Sequence, residues 1–130
     1  MDGDQLHEIL RGHDVTVAYL FGSRAEGVAR QTSDYDIAVL FGHTPTLREV
    51  GMLQSTLAQV ANVPVDVVEL DRAQLELQAK VVQDGRLIFS ADEPRRVAFE
   101  TKTRSCWFDF RPVQRQLTRA YIRRVATRGL

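Results

Sequence analysis

The sequence is short of the features that mark several functional classes. It has a single cysteine, Cys106, which excludes an internal disulfide and fits a reducing cytoplasm; among its apolar neighbours it reads as a small core or interface residue. It has no apolar run of the roughly eighteen residues a membrane-spanning helix needs, no signal-peptide pattern and no internal repeat. A soluble, cytoplasmic protein without membrane contact is expected. Net charge is lacking as well: Lys plus Arg and Asp plus Glu stand at 17 each. No global field therefore draws in nucleic acid, and direct nucleic-acid binding is not expected. With 130 residues there is room for one core but not for a catalytic domain plus a large substrate domain, so a large substrate must come to it.

What is present is concentrated between Tyr19 and Leu40. Val15 to Phe21 and Ile37 to Phe41 are short apolar runs, rich in β-branched and aromatic residues and bounded by turn residues, and read as β-strands. Between them lie Gly22-Ser23, ten further residues, and Asp34-Tyr35-Asp36. Alternation along a strand puts Asp34 and Asp36 on one face and Tyr35, Ile37 and Val39 on the other. Two adjacent carboxylates raise each other's pKa unless a cation neutralises them, and a divalent ion taking oxygen ligands does so most directly, which points to magnesium. Gly22-Ser23 follows a strand and precedes a predicted short helix, Arg24 to Ala29, leaving backbone N–H groups and a hydroxyl where phosphate oxygens fit. Singly, Asp-x-Asp and Gly-Ser are common turn and cap chemistry. Together, between two strands, they are far more specific.

The rest of the chain reads as support. Asp4 to Arg11 is predicted as a helix capped by Asp4, with His7 and His13 as surface residues. His43 falls in a turn with no second ligand near it. Thr46-Leu47-Arg48-Glu49 is a capping box opening a helix to about Ala61, with Val50, Leu53, Leu57 and Val60 on its packed face. A third strand, Val63 to Leu70, carries Asp66. A strand, a helical crossover and another strand make the second and third strands parallel, while a compact connection makes the first antiparallel to the second. That topology brings Gly22-Ser23, Asp34, Asp36 and Asp66 to one edge. Val65, Val67 and Val68 make the third strand read as buried, where an unpaired carboxylate is expensive, so Asp66 is favoured as functional. Glu69 points to the opposite face. Asp71 is predicted to cap a helix to about Gln83, and Arg86 to Ser90 to extend the sheet.

The tail is strongly basic. From Arg95 onward nine arginines and one lysine face two acids, Glu100 and Asp109, which makes it the expected interaction surface. Pro94 suits a first helical turn, and Pro112 is expected to end or kink the helix before a second one continues. Val97, Phe99, Trp107, Phe108 and Phe110 suit either packing on the sheet or a partner surface.

Gly22-Ser23, ten residues, then Asp34-x-Asp36, within Leu20-Phe21-Gly22-Ser23-Arg24-Ala25 and Ser33-Asp34-Tyr35-Asp36-Ile37-Ala38-Val39, resembles the DNA polymerase beta-like nucleotidyltransferase superfamily, and in particular its minimal nucleotidyltransferase branch. The resemblance covers residues 15 to 90. It implies an α+β fold, a small mixed β-sheet flanked by helices with C-terminal helices, divided as a core at 1–92 and a helical extension of the same domain at 93–130. It further implies ATP as substrate and two magnesium ions held by Asp34, Asp36 and Asp66, the last also acting as base. Gly22 and Ser23 would hold the terminal phosphates, with Arg24 as a further contact. Proteins of this look are commonly antitoxins that attach AMP to a tyrosine of a cognate HEPN-family RNase toxin. Two other readings stay open: a small-molecule acceptor such as an aminoglycoside, and a non-catalytic module that neutralises its partner by contact alone.

Overall fold

Alternating apolar residues along adjacent strands give a sheet whose two faces are both covered. The computed structural model describes the backbone of residues 2–22 and 35–128 and the side chains of 2–22 and 35–110. In order these form α1 (Gly3–Gly12), β1 (Val15–Phe21), β2 (Tyr35–Phe41), α2 (Leu47–Ala61), β3 (Val65–Glu69), a 3-10 turn (Leu70–Arg72), α3 (Leu75–Asp84), β4 (Arg86–Ser90) and α4 (Glu93–Arg128). The four strands lie in the order β3-β2-β1-β4. β1 is antiparallel to β2 and β4, and β2 is parallel to β3. The fold is α+β with a mixed sheet, as expected. The expected helix at Arg24 to Ala29 lies outside the described residues.

Strand alternation sorts the core into two layers. On one face Ala18, Ile37, Val39, Phe41 and Val65 pack with Leu10 of α1 and with Leu53 and Leu57 of α2. On the other, Val17, Tyr19, Ala38 and Leu40 pack with Leu70, with Val81 and Val82 of α3 and with Phe99 of α4. Leu10, Leu40, Leu53, Leu57 and Leu70 are fully buried; each such side chain contributes roughly 1.5–3 kcal/mol relative to exposure. The capping box of α2 forms as predicted: Glu49 N–H donates to Thr46 Oγ1 at 3.1 Å and Thr46 N–H to Glu49 Oε1 at 3.2 Å.

Several expectations are corrected. The N-cap of α1 is Asp2, which accepts from Gln5 N–H at 2.8 Å; Asp4 sits in the first turn, where its charge suits the helix dipole. His7 is not a simple surface residue: its Nε2 bonds the Ile88 carbonyl at 3.0 Å and its ring tilts against Phe89. Asp71 does not cap α3, whose N-cap is Gln74. It lies in the 3-10 turn and accepts from Arg95 at 2.5 Å, a tertiary pairing that outcompetes the local one. Asp66 is exposed rather than buried, because β3 is an edge strand, so burial cost is no argument for its role. Cys106 is exposed rather than a core residue. In place of two C-terminal helices there is one: α4 keeps helical backbone through Pro112. Proline removes one ladder bond, whereas stopping would cost a fresh nucleation. Of its aromatics, Phe99 is buried, while Phe108 and Phe110 are exposed.

His43, assigned no partner from sequence, sits between two acids. Its Nδ1 lies 2.6 Å from Asp14 Oδ2 and its Nε2 2.5 Å from Glu49 Oε2. With both carboxylates ionised each ring nitrogen must donate, which the imidazolium form alone allows. The bond to Asp14, and after it the bond to Glu49, holds the His43 pKa above its ordinary 6.5. The bond to His43 in turn holds Glu49 below its ordinary 4.5. A raised histidine adds stability that is complete below the unfolded value and lost as pH rises through the folded one; a lowered carboxylate adds stability above its unfolded value, lost as pH falls through the folded one. The difference in thermal midpoint between wild type and His43→Gln is therefore expected to be largest between pH 4.5 and 6.5 and to shrink on either side. A difference that grew toward alkaline pH would contradict the cluster.

Candidate active site

The end of the sheet opposite His43 is where chemistry-bearing residues meet. β1 arrives there in antiparallel register with β2, pairing Phe21 with Asp36. β3 begins there in parallel register, pairing Asp36 with Asp66. Residues paired across neighbouring strands share a face, so Asp36 and Asp66 project side by side. The face is that of Tyr19, Ala38 and Leu40, the one covered by α3 and α4.

Gly22 closes the approach from β1. It adopts φ +79°, a left-handed conformation that glycine enters without steric cost. A Cβ at this position would stand 2.5 Å from Asp36 Oδ2. The turn after β1 thus lies directly against the carboxylate, and a side chain here would have to displace one or the other. Gly22, Asp36 and Asp66 are brought together; Ser23, Arg24 and Asp34 lie outside the described residues.

Among the described residues no cluster of three His, Cys, Asp or Glu groups is arranged around a metal. Two carboxylates in register are nonetheless a hard oxygen donor set. Magnesium is typically held by one or two carboxylates plus substrate phosphates and water rather than by an all-protein cage, so the residues present fit that ion.

A second group on this face escaped the sequence reading. The Tyr19 hydroxyl donates to Glu100 Oε2 at 2.7 Å. Glu100 also accepts from Arg96 at 2.9 Å and from Arg104 at 3.3 Å. Burial pushes the Tyr19 phenol well up, and Glu100 adds to the effect. Burial works to raise Glu100 too, but the bonds from Tyr19 and Arg96 outweigh it and hold the carboxyl below its ordinary value. The available signal was the parity of Tyr19, which aims its hydroxyl at whatever covers that face, and the scarcity of acids in the tail.

Comparison with known proteins gives a consistent set of likenesses. Residues 4–94 match the family model described as polymerase beta, nucleotidyltransferase. The protein adenylyltransferase MntA of Shewanella oneidensis is 34% identical over 89 residues, which span 68% of this chain and 63% of that protein's length. Among solved structures, a chain from a toxin-antitoxin crystal structure with AMP-PNP superposes with a TM-score of 0.80 at 26% identity, covering 94% of this chain and 99% of that one. A chain from the complex of tri-AMPylated Shewanella oneidensis HEPN toxin with MNT antitoxin has a TM-score of 0.74 at 24% identity, covering 92% and 95%; at that identity the likeness is one of fold. Among the described residues no helix is long and apolar enough to cross a membrane.

Proposed function

The chain belongs to the polymerase beta nucleotidyltransferase family, and from that premise we propose that it is an antitoxin that transfers AMP from ATP to a tyrosine of a HEPN-family toxin. The observation that carries this reading is the in-register pairing of Asp36 with Asp66 on the face that receives the Gly22 turn. The adenylyltransferase activity named for the Shewanella relative, and the AMP-PNP and toxin-antitoxin pairing named for the neighbour at 26% identity, support the nucleotide and a toxin as acceptor. The working unit is residues 1–92 as transferase core and 93–130 as a helical extension of the same domain, acting in the cytoplasm, where ATP and a reduced Cys106 are compatible.

In this mechanism Gly22 and Ser23 seat the terminal phosphates through backbone N–H groups and a hydroxyl, and Arg24 adds a charge-assisted contact. Asp34, Asp36 and Asp66 are the residues that would hold two magnesium ions, which when bound neutralise charge on the triphosphate and favour the ionised acceptor. Asp66, exposed on its edge strand, is the residue that takes the proton from the acceptor hydroxyl in this reading. The hydroxyl oxygen attacks the α-phosphorus, forming one P–O bond as the α–β bridge breaks and pyrophosphate departs with the electron pair. The protein's contribution is to position the groups in line and to compensate charge.

The test is direct. Incubated with ATP, magnesium and a candidate HEPN-family toxin drawn from the neighbouring genes, the wild-type chain is expected to add AMP to a tyrosine of that partner, seen by intact mass and fragment sequencing. An unmodified partner, neutralised all the same, would overturn the transferase reading.

A further inference from the structure

We propose that Arg104 contacts the polyphosphate of the bound nucleotide; this rests on the nucleotidyl-transfer reading above. The argument is one of direction and level. α4 begins at the far end of the sheet, where the Ala91 N–H donates to the Thr16 carbonyl and Arg95 meets Asp71. It reaches Tyr19 at Glu100, so it runs in the same direction as β1, toward Gly22. Four further residues of helix advance about 6 Å, and the two strand residues from Tyr19 to Phe21 advance about 6.6 Å. Arg104 is therefore level with Phe21, the register partner of Asp36, on the face that carries both aspartates.

Its surroundings suit an anion. Arg104 gives Nη2 to Glu100 Oε1 at 3.3 Å, a long bond, and its side chain is 57% exposed. A guanidinium carries five N–H donors, so capacity remains for phosphate oxygens. Three other described cations are placed differently. Arg96 is spent on Glu93 and Glu100. Arg86 pairs with Leu20, whose side chain belongs to the α1 and α2 face, and Lys102 lines the groove between α3 and α4. Glu100, held by Tyr19 and Arg96 through its other oxygen, fixes the helix turn from which Arg104 extends.

The experiment compares binding of ATP, ADP and AMP, each with magnesium, to the full chain by calorimetry for wild type, Arg104→Met and Arg104→Lys. Arg104→Met is expected to weaken ATP and ADP about tenfold and AMP less than twofold, with Arg104→Lys intermediate and the thermal midpoint without nucleotide unchanged. If Arg104→Met binds all three as wild type does, or loses AMP as much as ATP, the polyphosphate contact is wrong and the transferase reading stands. If wild type binds no ATP, that reading itself fails and this proposal falls with it.

Discussion

Asp36→Asn is expected to lower the initial rate of AMP transfer on the order of 10³-fold while shifting the thermal midpoint little. The substitution preserves shape and removes one charge. In the folded chain Asp36 lies beside Asp66 in strand register, so the charge removed belongs to the pair of carboxylates proposed to hold the cations. A residue kept for stability would show the opposite pattern, losing both quantities together. Rates of label transfer from ATP and a melting curve on the same preparation separate the two cases. A fully active Asp36→Asn would remove the site from this edge of the sheet.

Gly22→Val is expected to lose about 10²-fold in transfer and about 2–3 kcal/mol in stability. Two effects add. At φ +79° a β-branched side chain is strained, and its Cβ would meet Asp36 Oδ2 at 2.5 Å. The turn or the carboxylate must move, and either displaces the proposed phosphate seat relative to the proposed metal ligands. Chemical denaturation measures the stability term, and the transfer rate at saturating ATP measures the displacement. Wild-type activity in this variant would mean that the Gly22 turn is no part of the site.

These expectations draw on features whose legibility differed for physical reasons. β1, β2 and the α2 capping box were readable because each is local: alternation, a turn residue at each end, and a Thr46–Glu49 pair three residues apart. Parallel pairing of β2 with β3 was readable because a helical crossover leaves little choice of topology. Burial of β3 was misjudged because three valines look alike in a central and in an edge strand; the strand order, a tertiary fact, leaves Asp66 exposed. Asp71 resembled a cap because capping chemistry is local, but its partner Arg95 is 24 residues away. Distance in sequence also hid His43 from Asp14, 29 residues away, and Tyr19 from Glu100, 81 residues away, while Glu49, only six residues from His43, was accounted for as the partner of Thr46 in the capping box. Pro112 was overread, since a proline's cost competes with the length of helix on either side of it. Of the six proposed site residues, Gly22, Asp36 and Asp66 have their placement described, and Ser23, Arg24 and Asp34 do not.

The account turns on Asp36 and Asp66 serving one cation site next to the Gly22 turn. The most direct measurement is a crystal structure grown with manganese in place of magnesium and a non-hydrolysable ATP analogue, read by the anomalous signal of the metal. The account predicts a peak bound by carboxylate oxygens of both Asp36 and Asp66, at close to the roughly 2.1 Å of magnesium–oxygen bonds, with the analogue's phosphates against Gly22. A metal peak bound by neither aspartate, with the nucleotide seated elsewhere, would contradict it.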